Sequence, residues 1–172
     1  MLQTERLIID PLTLEDAPFI LTLLNDPDFI AQIADRGIRD EAAARRYLEE
    51  GPLASYREHG FGLWAVRQRD SGEALGMCGL LRRPTLADVD IGYALLPQAR
   101  GMGIAREAAQ AVMHYARDTL GLASLVVIVA PGNAPSRALL EELGFEQERM
   151  VQLTPEAENL CLYRWGTSEP VA

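Results

Sequence analysis

The chain has 172 residues, 48% of them hydrophobic and 24% charged, an ordinary globular balance with enough length for one domain and its core. Its formal net charge of −9 argues against nucleic acid as the main partner, because an acidic surface repels a phosphate backbone. The same charge would attract a basic protein or a cationic amine. No stretch approaches the ~20 apolar residues of a membrane helix, and the opening MLQTERLIIDPL, with Glu5 and Asp10 bracketing its apolar run, is not a signal peptide. A cytoplasmic protein without a membrane partner is expected, with Cys78 and Cys161 as reduced thiols. Neither these cysteines nor His59 and His114 have metal-ligand spacing, so no metal is expected.

In chain order, Glu5–Pro11 reads as a first strand, closed by Pro11. Thr13 and Asp16 form a capping-box pattern that opens a helix over Leu14–Asn25. Pro27 opens a short helix near Asp28–Ala34, and Asp40 caps a third helix running from Glu41 to Tyr56. Phe61–Arg69 and Glu73–Arg83, joined by the turn Asp70–Gly72, form an antiparallel hairpin. Val89–Leu96 is the next strand, ended by Pro97. A helix from Gly103 to Leu120 follows, with Ile104, Ala108, Val112 and Tyr115 at helical spacing. Leu125–Ala130 is apolar and β-branched, as in a strand buried on both faces. A short helix over Ala134–Leu143 ends at Gly144, and Glu146–Leu153 and Leu160–Trp165 are the last strands. The whole reads as one α/β (α+β) domain over residues 1–172, with a loose tail at Thr167–Ala172.

The chemistry lies in Gln98-Ala99-Arg100-Gly101-Met102-Gly103-Ile104-Ala105. A strand ends, two glycines allow a tight loop, and a helix begins with free N–H groups and the positive end of its dipole. Glycine lets a diphosphate approach the backbone, so the segment is an anion cradle, with Arg100 as a cation beside it. A P-loop would need GxxxxGK[ST], which the chain lacks. A Rossmann fingerprint would need a third small residue where Arg106 stands, and an acid some twenty residues on, where Gly121–Leu122–Ala123 lies.

Gln98-x-x-Gly101-x-Gly103-x-Ala105 resembles the acetyl-CoA pyrophosphate motif of the GNAT superfamily. Asn133-Ala134-Pro135-Ser136 followed by Leu143-Gly144-Phe145 is similar to a second segment of that family. The opening Thr4-Glu5-Arg6-Leu7 resembles its ribosomal-protein N-acetyltransferase-like (RimJ/RimL-type) branch. The resemblance covers nearly the whole chain. It implies a mixed, mostly antiparallel seven-stranded sheet, splayed between the fourth and fifth strands and flanked by helices. It implies acetyl-CoA as cosubstrate, bound by Leu95, Leu96, Gln98, Arg100, Gly101, Met102, Gly103, Ile104, Ala105 and Asn133. Pantetheine would pair with the backbone near Leu95 and Leu96, and a backbone N–H near Leu95 would serve the oxyanion.

Transfer of an acetyl group to an amine needs an acid for the leaving thiolate and a base for the amine. Many members of the family carry a tyrosine three residues before the Leu of LGF; here that residue is Leu140. Ser136 is the substitute acid, or a helix cap only. Asp90 is the leading base, or a solvated edge residue; Glu156 and Glu158 are its rivals. Tyr56, Phe61, Trp64 and Tyr93 line an acceptor pocket or belong to the core. The expected partner is an amine acceptor, a small molecule or a protein N-terminus, and a homodimer is left open. The competing reading is a non-catalytic acyl-CoA-binding module of the same fold.

Overall fold

In the computed structural model residues 1–166 are described; the tail expected at Thr167–Ala172 lies outside them. Eight strands form one sheet: β1 (Leu2–Gln3), β2 (Leu7–Pro11), β3 (Leu63–Gln68), β4 (Ala74–Leu81), β5 (Asp90–Leu95), β6 (Ser124–Val129), β7 (Glu146–Val151) and β8 (Leu160–Gly166). Their order is β1-β2-β3-β4-β5-β6-β8-β7. Seven of these are the strands expected from the pattern. The eighth, β1, has two residues, too few to leave an alternation, and pairs Leu2 with Ile9 and Gln3 with Ile8.

All neighbours run antiparallel except β5 and β6. These two are parallel and share a single register pair, Asp90 opposite Val126. Val126 N–H donates to the Val89 carbonyl at 3.1 Å, and beyond that point the strands part. On its other edge β5 is paired with β4 along its whole length, from Leu81–Asp90 to Gly76–Leu95. The splay therefore opens toward the C-terminal ends of β5 and β6.

Among the described residues six α-helices lie on the two faces. Thr13 makes both bonds of its capping box: its hydroxyl accepts from Glu15 N–H at 3.3 Å and its N–H donates to Asp16 at 2.9 Å. A 3-10 turn (Leu14–Asp16) leads into α1 (Ala17–Leu24), and Asp26 caps α2 (Pro27–Gln32) by accepting from Phe29 N–H. The single helix expected from Glu41 to Tyr56 is two, α3 (Glu41–Glu50) and α4 (Pro52–His59). Pro52 has no N–H for the carbonyl of Leu48, and its ring crowds that carbonyl. Gly51 breaks the helix there with φ −101° and ψ −98°.

Helix α5 (Ile104–Asp118) and helix α6 (Ala134–Glu142) follow the two parallel strands. At the end of α6, Phe145 N–H donates to Leu140 and Gly144 N–H to Glu141, and Gly144 sits at φ +95°. This is the paired-bond stop that a left-handed glycine permits. Helices α1 and α3 bury Ile20, Leu23, Leu24 and Leu48 against Leu63, Ala65, Met77 and Ala94 on one face of the sheet. Helices α5 and α6 bury Ala108, Val112, Ala116 and Leu140 against Val66, Leu80, Ile91 and Val127 on the other. Among the described residues no helix is long and apolar enough to cross a membrane.

Candidate active site in the splay

The gap between β5 and β6 has unpaired backbone along one wall. Leu96 N–H donates to the Leu75 carbonyl at 2.8 Å, so it faces β4. Antiparallel pairing alternates by two residues, so the N–H groups of Ala94 and Gly92 also face β4, and those of Tyr93 and Leu95 face the gap. This corrects the expectation for Leu96, whose N–H is already used. Tyr93 takes its place beside Leu95.

Past β5, a 3-10 turn (Pro97–Ala99) carries Gln98 on the surface and buries Ala99. Gly101 and Gly103 follow at φ +76° and +75°. This left-handed conformation suits glycine and strains other residues. Gly103 is the first cap of α5, and the first bond within the helix runs from Glu107 N–H to the Gly103 carbonyl. The N–H groups of Ile104, Ala105 and Arg106 precede that bond and are the helix's open donors. Ile104 anchors the turn with a buried side chain, while Met102 turns its side chain outward, 50% exposed.

The cation of the cradle is not the one expected. Arg100 reaches back to Asp26 at 2.5 Å and Asp28 at 2.7 Å, and donates to the Leu95 carbonyl at 2.9 Å. The buried Asp26 carboxylate needs a charge partner, and this holds Arg100 against α2 rather than in the cradle. Arg6 stands at the cradle instead. It donates to the Met102 carbonyl at 2.8 Å and pairs with Glu107 at 2.8 Å, and its Nη2 lies 3.4 Å from where a Cβ on Gly103 would be. Thr4 donates to the same Glu107 at 2.5 Å. Burial pushes the Glu107 carboxyl up, but the hydrogen bonds from Thr4 and Arg6 outweigh it and hold the group below its ordinary range. The Thr4-Glu5-Arg6-Leu7 motif thus has a physical role: it clamps the first turn of α5. Sequence reasoning quoted these residues and assigned them none.

On the opposite side of the gap, Asn133 caps α6, its Oδ1 accepting from Ser136 N–H at 3.3 Å. The Ser136 hydroxyl lies 2.5 Å from the Tyr93 hydroxyl, so β5 and α6 are joined across the gap. Burial pushes the Tyr93 hydroxyl up, beyond what the bond to Ser136 returns, and keeps it protonated at neutral pH. Leu140, where the family tyrosine would stand, is fully buried in the core and far from solvent. The sequence marks Tyr93 only as a lining or core aromatic; the pairing of its hydroxyl with Ser136 is visible only in the fold.

Asp90 is not a solvated edge residue. It is 1% exposed, its Oδ2 accepts from Arg83 at 3.1 Å, and its Oδ1 is buried without a hydrogen-bond partner among the described residues. Burial pushes its carboxyl up, with Arg83 pulling in the other direction, and burial prevails. Alternation along β5 puts Asp90 and Gly92 on the α1–α3 face with Ala94, and Tyr93 on the α5–α6 face. Acid and base candidates therefore stand on opposite faces of one strand. Glu156 and Glu158 sit exposed in the turn between β7 and β8. Tyr56 is structural, accepting from Leu12 N–H and donating to the Leu63 carbonyl. Trp64 packs edge-on against Tyr115 of α5, and Phe61 belongs to the same core. The Cys78 thiol is fully buried and pushed up to about 12, a state without thiolate at neutral pH.

The parallel strands β5 and β6 splay toward an end that carries two left-handed glycines at a helix N-terminus, an arrangement whose open N–H groups favour an anion. The chain belongs to the GNAT family of acetyltransferases: the model of the acetyltransferase (GNAT) domain matches residues 6–146. It is 33% identical over 140 residues to the protein named "Putative ribosomal N-acetyltransferase YdaF" of Bacillus subtilis, covering 73% of this chain and 76% of that one. An acetyltransferase structure from Agrobacterium tumefaciens superimposes with a TM-score of 0.78 at 28% identity, covering 96% of this chain and 94% of that one. RimL, a ribosomal L7/L12 α-N-protein acetyltransferase solved with coenzyme A, shares the fold with a TM-score of 0.78 at 18% identity, covering 95% of both chains.

Proposed function

We propose that this protein is an N-acetyltransferase that moves an acetyl group from acetyl-CoA to the primary amine of a small molecule or a protein N-terminus. The observation that carries this reading is the arrangement on β5: the Tyr93–Ser136 pair on one face, Asp90 on the other, and unpaired N–H groups on the edge between them. The cradle fits a diphosphate, with left-handed glycines, open helix donors and the Arg6 guanidinium beside Gly103. The N–H groups of Tyr93 and Leu95 fit an extended amide chain in the gap. Acetyl-CoA bound there supplies the thioester.

Asp90 takes the proton of the attacking amine, directly or through water, and its burial suits it to the task by raising its affinity for a proton. A backbone N–H on the gap edge of β5 donates to the developing oxyanion. As the new C–N bond forms and the C–S bond breaks, Ser136 gives its proton to the sulfur and Tyr93 resupplies Ser136. RimL in complex with coenzyme A supports the cofactor assignment by likeness of fold.

Thermal unfolding with acetyl-CoA, CoA, NAD and ATP side by side tests the cradle. A ligand at ~100 times its dissociation constant adds about 2.7 kcal/mol. Stabilisation by acetyl-CoA and CoA alone, together with amine-dependent release of free thiol slowed by Asp90→Asn, is the expected result. Stabilisation by NAD or ATP instead removes the reading. Leu140 at the family tyrosine position favours a second reading, an acyl-CoA-binding module, which predicts stabilisation without thiol release for any amine.

A further inference from the structure

A cavity of about 320 Å³ lies on the α1–α3 face of the sheet, beside the closed end of the splay. Arg36, Tyr47, Leu63, Leu81, Arg82 and Arg83 line it. Its floor lies over β5: a Cβ on Gly92 would meet Leu81 Cδ1 at 3.4 Å and Leu63 Cδ2 at 3.5 Å. Asp90 borders the same floor, opposite Leu81 in register and hydrogen-bonded to Arg83. Asp90, whose Oδ1 is the one buried carboxylate oxygen without a partner among the described residues, therefore lies directly behind Arg83 and Leu81 of the cavity wall.

The charge of the walls departs from the charge of the molecule. The chain carries −9 overall, which by itself favours a cationic acceptor. Arg83 is matched by Asp90. Arg82 donates only to the Ala87 carbonyl, and Arg36 makes no hydrogen bond or ion pair among the described residues. Tyr47 stands between: burial pushes its hydroxyl up, while the charges of Arg36 and Arg83 act on it in the other direction. Glu50, Glu58 and His59 line the cavity as well, exposed like Arg36 and Arg82, and Glu58 lies 3.7 Å from His59. Arg36 and Arg82 thus line the cavity without an ion pair among the described residues, and neither is matched by Glu50 or Glu58.

We propose that this cavity is the acceptor site, and that it selects a small amine carrying its own anionic group, a carboxylate or a phosphate, held by Arg36 and Arg82 while the amine points to Asp90 and the splay. The inference rests on the acetyltransferase reading and adds the chemical class of the acceptor. The volume lies at the small end of ligand pockets and suits a metabolite. Guanidinium groups bind carboxylate and phosphate with paired hydrogen bonds, so the neutral analogue of such an acceptor leaves them unmatched.

The test compares 4-aminobutyrate, 3-aminopropyl phosphate, 4-aminobutyramide and 1,4-diaminobutane as acceptors in the thiol-release assay. At least one anionic amine is expected to exceed both the amide and the diamine by about tenfold or more in kcat/KM. Which of the two leads identifies carboxylate or phosphate as the group read. The double variant Arg36→Gln, Arg82→Gln should erase that preference through KM for the anionic amine. Its KM for acetyl-CoA and its kcat/KM for the amide should stay unchanged. Equal rates for the anionic amine and its amide, or preference for the diamine, overturn the proposal while leaving the acetyltransferase reading intact. If no amine releases thiol although acetyl-CoA stabilises the protein, the transferase reading fails on its own. The pocket is then read by thermal shift with N-acetyl-4-aminobutyrate and N-acetyl-3-aminopropyl phosphate. Stabilisation of the wild type by either, but not of the double variant, upholds the anion site. No stabilisation by either overturns it.

Discussion

The hydroxyls of Tyr93 and Ser136 lie 2.5 Å apart and connect strand β5 to helix α6 across the splay. Ser136 alone would be a helix-cap neighbour, and Tyr93 alone an aromatic on a strand. In the proposed mechanism they form a two-member proton chain, in a fold whose usual tyrosine position holds Leu140. Ser136→Ala and Tyr93→Phe are each expected to lower kcat about 10²-fold or more with KM for acetyl-CoA unchanged. Because the two hydroxyls act in series, the double variant should be no worse than the poorer single one. Steady-state rates for the four proteins check this, and additive losses would separate the two residues.

Arg6, and not Arg100, stands beside Gly103. Arg6→Ala removes the bond to the Met102 carbonyl and the partner of Glu107, and should weaken acetyl-CoA binding about tenfold. Arg100→Gln strips the buried Asp26 of its charge partner, and should cost about 1–3 kcal/mol of stability. Denaturant titration and cofactor titration of both variants distinguish them; a binding loss confined to Arg100→Gln would return it to the cradle.

Gly101 and Gly103 share a conformation but not surroundings. A Cβ on Gly101 meets nothing within 4 Å, whereas one on Gly103 approaches Arg6 Nη2 at 3.4 Å. Gly101→Ala should therefore cost only the left-handed backbone, roughly 1–2 kcal/mol. Gly103→Val adds crowding of Arg6 and of the open helix donors, and should abolish stabilisation by CoA. Melting curves with and without CoA measure both effects.

The Glu107 clamp makes the cradle acid-sensitive, and the sign follows from its depressed carboxyl. The group is held below its ordinary value of 4.5, so its contribution to stability is complete above that value and is lost as pH falls through the lower, folded one. Melting temperature followed from about pH 6 to about pH 3 should fall more steeply for the wild type than for Glu107→Gln. Parallel curves would mean that the clamp adds nothing to the fold.

Features written in adjacent residues were legible before the structure. The Thr13–Asp16 box, the Asp40 cap and the Gly144 stop each depend on bonds spanning a few residues, and all are present. The splay lies where the family motifs locate it. The break at Gly51–Pro52 was also written locally, in a proline that cannot continue a helix, and the apolar spacing around it masked the signal. Other features are pairings between distant segments that no periodicity encodes. Arg100 is drawn to Asp26 from 74 residues away, and Tyr93 meets Ser136 across 43. Asp90 is legible in the sequence as a base candidate, but its burial comes from Arg83 and the neighbouring strands, which no local pattern describes.

The clamp on α5 also bears on how the chain is made. Thr4 and Glu107 are separated by 103 residues, so the segment that holds the clamp has no partner until α5 is synthesised. Until then the Arg6 guanidinium has neither Glu107 nor the Met102 carbonyl to hold. Contacts of such long sequence separation form late, because loop closure must precede them. The clamp therefore closes only once α5 has been made, and a nascent chain stalled before α5 has neither the clamp nor the open helix donors it steadies.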